Sequence, residues 1–260
     1  MDDQMKNIVF IPNIKVGDGS RSISYDYSIK SWKHFCDKYN CELLVWEDLI
    51  FPIEDMKITW QRYYLFDILE GNNVEYDQIL MVDADTIVHP ECPNFFEETD
   101  HKYCGVINDG CYEWVTRSIR DFNRELFPDS IPPHPSTYIN GGFQIVNKDH
   151  KKFFTAMKDY YSEYKDSIQL AIDKIKAGTD QTIVNYMLKD TKVDVKILPP
   201  CYNLQDLFRK NLLHLTGHSW WPDTLEGMYS AGWVYHFNAI PQNPRHVDYW
   251  MERTYRELYQ

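Results

Sequence analysis

The segment Gln78-Ile-Leu-Met-Val-Asp83-Ala84-Asp85-Thr-Ile-Val88 constrains the fold more than any other stretch of this chain. Its nearly continuous apolar run over residues 78–82 lacks polar alternation, the pattern of a strand covered on both faces in a parallel sheet. The run delivers two carboxylates, Asp83 and Asp85, at its C-terminal end, where open α/β sheets bind ligands. Residues two apart in an extended segment share a face, so both carboxylates can address one point across the small Ala84. Neighbouring anions at the border of a core are unfavourable without a compensating cation. A hard divalent ion, Mn²⁺ or Mg²⁺, suits carboxylate oxygens and commonly completes its shell with substrate phosphates. A solvated Asp-x-Asp turn is the plain alternative.

The flanking sequence predicts how that strand is embedded. Residues 8–11 form a β-rich run ending at Pro12, and the polar, Gly-containing stretch 13–22 reads as a loop. Tyr25, Ile29, Trp32 and Phe35 recur at the period of one buried helix face and predict a helix over Tyr25–Tyr39, followed by a strand at Glu42–Trp46. Trp60, Tyr64, Phe66 and Leu69 predict a second helix over 58–69, stopped by Gly71-Asn72-Asn73. The resulting β-α-β-α-β order points to a doubly wound α/β architecture. Further strands are expected at 142–146, 193–198 and 232–237, and helices at 151–164, 168–176 and 180–188, the last with Thr179 as its cap. Residues 202–230, rich in Trp, His and Gly, read as an irregular substrate-facing segment. With no repeat or linker, one domain over residues 1–260 is expected.

Composition narrows the function classes. The 260 residues suffice for a continuous hydrophobic core. Lys plus Arg number 27 against 39 Asp plus Glu, and the net charge of −12 opposes general attraction to nucleic acid or an anionic membrane. Six cysteines without a CxxC pair, and no apolar leader, read as reduced thiols in a cytoplasmic protein. No apolar run approaches the ~20 residues that cross a bilayer. The 15% aromatic content supplies flat apolar faces that suit sugar rings and nucleobases.

Around Asp83-Ala84-Asp85, five other segments occur in a telling order: Ile58-Thr-Trp60-Gln-Arg62-Tyr-Tyr, Tyr138-Ile-Asn140-Gly141-Gly142-Phe-Gln-Ile-Val-Asn147, Gly178-Thr-Asp180-Gln181-Thr-Ile-Val-Asn185, Leu198-Pro-Pro-Cys-Tyr202-Asn203 and Val234-Tyr-His236-Phe-Asn238. Together they resemble the nucleotide-sugar glycosyltransferases of the GT-A fold, family eight and its retaining relatives in particular. The resemblance implies an α/β, Rossmann-like, mostly parallel central sheet flanked by helices, with an irregular C-terminal acceptor-side segment. Residues 1–147 would form the nucleotide-sugar-binding half, and 148–260 the acceptor-side half carrying a third metal ligand.

By the same resemblance, Asp83, Asp85 and His236 would hold Mn²⁺ or Mg²⁺. Arg62 would set positive charge against donor and metal, and Ala84, Asn140, Gly141 and Gly142 would lie along the donor. Asp180 and Gln181 would border the reacting sugar carbon, and Pro12 and Asn13 the nucleobase. Gly141 departs from the family's usual Ala, and Pro241-Gln-Asn-Pro244-Arg245 replaces its Gly and diphosphate-gripping Lys, leaving Arg245 as a substitute clamp. The implied activity is metal-dependent transfer of a sugar, with retention, from a UDP-sugar or alternatively a GDP-sugar to the hydroxyl of a glycan or other acceptor. Inversion would require a base such as Asp180 on the opposite face.

Several alternatives stay open at the level of sequence. His214 and His218 compete with His236 for the third ligand position, although a strand aims a side chain at a fixed point better than a loop does. Trp220, Trp221, Tyr229 and Trp233 fit either acceptor stacking or a secondary core. Val82-Asp83-Ala84-Asp85-Thr86 also satisfies the signature of haloacid-dehalogenase phosphatases, with Asp83 as nucleophile, though no downstream acidic pair completes it. A noncatalytic carbohydrate-binding protein of the same fold is the remaining rival.

Overall fold

The structure, a computed structural model, describes residues 5–15, 24–210, 212–213, 226–240 and 244–260. In chain order its elements are β1 (Asn7–Pro12), α1 (Tyr25–Tyr39), β2 (Glu42–Trp46), α2 (Ile58–Gln61), α3 (Leu65–Gly71), β3 (Gln78–Val82), β4 (Thr86–Val88) and β5 (Tyr103–Ile107). They continue with α4 (Tyr112–Leu126), β6 (Ile139–Asn147), α5 (Lys151–Ile175), α6 (Gln181–Asp190), β7 (Val195–Leu198), α7 (Glu226–Ala231), β8 (Val234–His236) and α8 (Pro244–Tyr259).

Six strands form the central sheet in the order β2-β1-β3-β6-β5-β7, with only β6 antiparallel to its neighbours. Ile8, Phe10, Ile79 and Met81 face one apolar layer, which contains Trp60, Leu65, Phe154, Ile172 and Ile183. Val9, Ile11, Leu80 and Val82 face the other, against Trp32 and Phe35 of α1. Both faces are therefore covered, which is why β1 and β3 read as apolar runs rather than alternating strands. A second sheet pairs β4 with β8, antiparallel, in the register Thr86↔His236, Ile87↔Tyr235 and Val88↔Val234. Its apolar side packs with Trp250 and Met251 of α8.

Several elements depart from the sequence expectation. The helix expected over 58–69 is interrupted by a 3₁₀ turn at Arg62–Tyr64, whose tighter winding aims Arg62 and Tyr63 at the mouth of the sheet. The two helices expected over 151–164 and 168–176 are one run, α5, broken at Tyr164 (φ −114°, ψ 17°). The strand expected over 142–146 starts earlier, at Ile139, because sheet pairing overrides the weak strand preference of Gly141-Gly142. Asp180, not Thr179, occupies the N-cap of α6, and Thr179 instead donates to the Asp180 Oδ1. Strands β4 and β5 and helices α4 and α8 were not expected.

In the segment read as irregular, the structure shows a 3₁₀ turn at Pro200–Asn203 and α7. Residues 16–22 of the expected loop lie outside the described residues, as do His214, His218, Trp220 and Trp221. Arg245 falls within α8, but its side chain is outside the described set. Among the described residues, no helix is long and apolar enough to cross a membrane.

Candidate functional site

The end of β3 and the pairing of β4 with β8 build the site. Asp83 follows β3, its N–H held by the Gly142 carbonyl at 3.0 Å. The chain then enters β4 at Thr86, and the antiparallel register places His236 opposite Thr86. The Phe237 N–H donates to the Asp85 carbonyl at 2.9 Å and closes this junction. One ligand atom from each of Asp83, Asp85 and His236 consequently lies within 4.8 Å of the others. The His236 Nε2 is 3.2 Å from Asp85 Oδ1 and 3.8 Å from Asp83 Oδ2.

Two carboxylates and an imidazole form a donor set that suits Mn²⁺, and Mg²⁺ through its oxygens. The packing around them supports that fit. A Cβ at Gly142 would stand 2.5 Å from His236 Cε1 and 2.6 Å from Asp83 Oδ2, so only glycine lets β6 pass behind the cluster. A Cβ at Gly141 would meet nothing closer than 3.7 Å, so the family's alanine would fit there.

Arg62 binds both sides of the opening. Its Nη1 donates to the Gly141 carbonyl at 2.9 Å and pairs with Asp83 Oδ1 at 3.0 Å. Its buried Nε has no hydrogen-bond partner among the described residues and lies 3.9 Å from Asp180. Burial works against the Arg62 charge, but Asp83 and Asp180 outweigh it and hold the pKa above the ordinary guanidinium value. Asp180 accepts from the Tyr63 hydroxyl at 2.8 Å and from Thr179 at 2.9 Å, so both of its oxygens are engaged. Gln181 Oε1 accepts the Gly141 N–H at 2.9 Å. At His236 burial disfavours the charged ring, yet Asp85, then Asp83 and Asp206, raise its pKa above the ordinary imidazole value.

Two cavities meet at these acids. The larger, about 710 Å³, is lined by Pro12, Asn13, Tyr25, Lys57, Arg62 and Ala84, with Asp83 and Asp85 at its floor. The smaller, about 300 Å³, is lined by Asn140, Gly141, Gly142, Asp180, Gln181 and His236, again with Arg62, Asp83 and Asp85.

With this geometry established, comparison with known proteins fixes the architecture. A glycosyltransferase involved in glycosylation of the major capsid of PBCV-1 superposes with a TM-score of 0.60, covering 95% of this chain and 99% of that one at 11% identity. The fold is of the GT-A type. This GT-A likeness is one of fold alone, since identity is so low. Mouse xyloside xylosyltransferase 1 in its apo form gives a TM-score of 0.44 at 13% identity, covering 92% of this chain and 99% of that one. The apo form of the glycosyltransferase GlyE from Streptococcus pneumoniae TIGR4 gives 0.44 at 14% identity, covering 96% of this chain and 64% of that one. No family model and no curated protein matches the sequence.

In this GT-A framework, every sequence-predicted site residue with a described side chain lines one cavity or both. Of the four aromatics read as acceptor-stacking or core residues, the two that are described, Tyr229 and Trp233, line neither. Trp233 packs edge-on against His89 and joins the central-sheet core, and Tyr229 packs against Tyr235 in the core of the small sheet and α8. Sequence reasoning missed Tyr63, Asp206, Arg209 and Trp114. Asp206 is buried at a left-handed backbone position (φ 52°), its N–H held by Asn238 Oδ1 at 3.0 Å, and Arg209 pairs with its carboxylate at 3.3 Å. Both line the smaller cavity, as does Trp114 from α4. A left-handed, capped aspartate has no local signature that separates it from an ordinary turn residue.

Proposed function

We propose that this protein is a metal-dependent glycosyltransferase that moves a sugar from a nucleoside-diphosphate donor to an acceptor hydroxyl. The observation that carries the reading is the convergence of Asp83, Asp85 and His236 within 4.8 Å at the C-terminal end of β3, with Arg62 alongside. Asp83, Asp85 and His236 would hold the divalent ion, which when bound supplies Lewis-acid charge to the departing diphosphate. Arg62 presents preorganised positive charge to the same phosphates from a buried position. The larger cavity would take the nucleoside beside Pro12 and Asn13, and the smaller the sugar. There the Asp206 carboxylate would accept from sugar hydroxyls while Arg209 donates to them.

Retention is favoured by the state of Asp180. Both of its oxygens already accept hydroxyl protons, so it is poorly arranged to deprotonate an acceptor and better arranged to stabilise developing positive charge. A UDP-sugar is the first donor to try, with a GDP-sugar next.

The test is thermal stabilisation by UDP, GDP, CDP and ADP, each with Mn²⁺ or with chelator, since a ligand that binds the folded state raises its stability. Metal-dependent stabilisation by one nucleotide, followed by hydrolysis of its sugar conjugates that Asp85→Ala abolishes, is the expected result. No response to any nucleotide, with phosphatase activity lost in Asp83→Ala instead, would overturn it.

A further inference from the structure

We infer that two backbone groups, the Gly142 N–H and the Ile107 carbonyl, fix the tautomer of His236 through three buried side-chain amides, so that the neutral ring keeps its proton on Nδ1 and gives up the one on Nε2, the nitrogen that faces Asp83 and Asp85. The role in metal binding rests on the site reading above, while the tautomer itself does not.

The amides are Asn140, Asn203 and Gln205, exposed to 4%, 1% and 0%, and His236 is exposed to 2%. An amide's oxygen and nitrogen are nearly isosteric, so each orientation has to be deduced from its neighbours. A backbone N–H only donates, so the Gly142 N–H requires Asn140 Oδ1 as its acceptor, at 2.8 Å. The second donor on that oxygen is Asn203 Nδ2 at 3.0 Å, which turns the Asn203 oxygen toward His236. Asn203 Oδ1 lies 3.0 Å from His236 Nδ1 and can only accept, so Nδ1 carries the proton.

From the other end the same orientation follows. The Ile107 carbonyl only accepts, so Gln205 presents Nε2 to it at 2.7 Å and turns Oε1 to Asn140 Nδ2 at 2.6 Å. The two backbone anchors agree on one assignment. Inverting any member places oxygen against oxygen or N–H against N–H in a buried setting, so the relay switches as a unit or not at all.

Asn140, Asn203 and Gln205 thus act as positioning residues. They orient the ring and keep the proton on the side away from the carboxylates, the arrangement by which a metal-binding histidine is made ready. The sequence places these residues on β6 and in the turn after β7, while His236 is on β8, so the relay also ties three segments to one point.

The tautomer can be read directly. Metal-free protein with ¹⁵N-labelled histidine is examined over a pH series carried upward until the His236 ring is neutral, with the His236 signals assigned from the spectrum of His236→Gln. The expected result in the neutral ring is a protonated Nδ1 and a pyridine-like Nε2 at His236; a neutral ring with its proton on Nε2 and a pyridine-like Nδ1 would overturn the inference without any variant. Mn²⁺ affinity is then measured by calorimetry. Asn203→Asp keeps an acceptor oxygen toward Nδ1 and should retain the tautomer, although its second oxygen loses the bond to Asn140 Oδ1; loss of the tautomer in this variant would refute the acceptor role of Asn203. Asn203→Leu should lose the tautomer preference and weaken Mn²⁺ binding about 10- to 100-fold. Unchanged Mn²⁺ binding in Asn203→Leu would refute the positioning role alone. A wild type with the expected tautomer that binds no Mn²⁺ would refute the metal-site reading alone.

Discussion

Two buried histidines sit beside opposite ends of β6, and their surroundings put them in opposite states. Next to Asn147, the His150 Nδ1 accepts the Asn147 N–H at 3.0 Å inside a capping box, and burial lowers its pKa. Next to Gly142, the His236 Nδ1 donates to Asn203, and its Nε2 faces two aspartates, which overcome burial and raise its pKa. Both rings are buried and both are hydrogen-bonded. The difference is that His150 spends its Nδ1 lone pair on the backbone, whereas His236 turns Nε2 toward two carboxylates that favour a proton, or a metal ion in its place. Burial alone therefore does not mark a functional histidine; a ring nitrogen aimed at two neighbouring carboxylates does.

The comparison is broken most forcefully at the acids. Asp85→Ala should lower Mn²⁺-dependent donor hydrolysis about 10³-fold or more, while His150→Ala leaves turnover unchanged; equal losses in a side-by-side assay would end the distinction. Arg62→Gln should cost about 10²- to 10³-fold in kcat, as expected for loss of a preorganised charge, with the fold checked by circular dichroism. Gly142→Ala should displace His236 or Asp83 and reduce turnover about 10²-fold, whereas Gly141→Ala should be tolerated, a contrast visible in initial rates.

The pH dependence sharpens the contrast with less amplitude. The folded-state pKa of His236 is raised above 6.5, so in metal-free protein its ion pairing contributes fully below pH 6.5 and is lost as pH rises through the raised value. Mn²⁺ needs the unprotonated Nε2, so its stabilisation grows over that same rise. His150 has the opposite sign: its folded pKa lies below 6.5, and its contribution, present above 6.5, is lost as pH falls through the lowered value. Thermal melts of wild type, His236→Gln and His150→Gln, with and without Mn²⁺, separate the two. The smallest effect is structural: His150→Ala should destabilise the fold by about 1 kcal/mol through loss of the cap, with Mn²⁺ affinity unaffected.

Much of this was legible along the chain. Helix α1 has the predicted bounds because its local period is clean, and strand β2 because its apolar run over residues 43–46 is short and follows directly on the helix stop at Asn40. The same period runs through Val115, Ile119 and Phe122, the buried face of α4, so that helix too carried a readable signal. The break in the helix expected over 58–69 did not, since Arg62 and Tyr63 turn inward to reach Asp83, Gly141 and Asp180, partners remote in sequence. In the site, the acid pair announced itself, while Asp206 and Arg209 did not, because a buried capped aspartate resembles any turn residue until its neighbours are placed.

The sequence by itself determined a doubly covered strand ending in two carboxylates, and a set of ordered segments that could gather around it. Only the tertiary structure decided how His236 meets those carboxylates, which glycine makes room for it and which way its proton points. Those outcomes depend on the β4 to β8 register, on a gap too narrow for a Cβ and on amide orientations anchored by two backbone groups. Each is a contact between distant parts of the chain, set by packing and hydrogen-bond complementarity, and no local periodicity encodes such contacts.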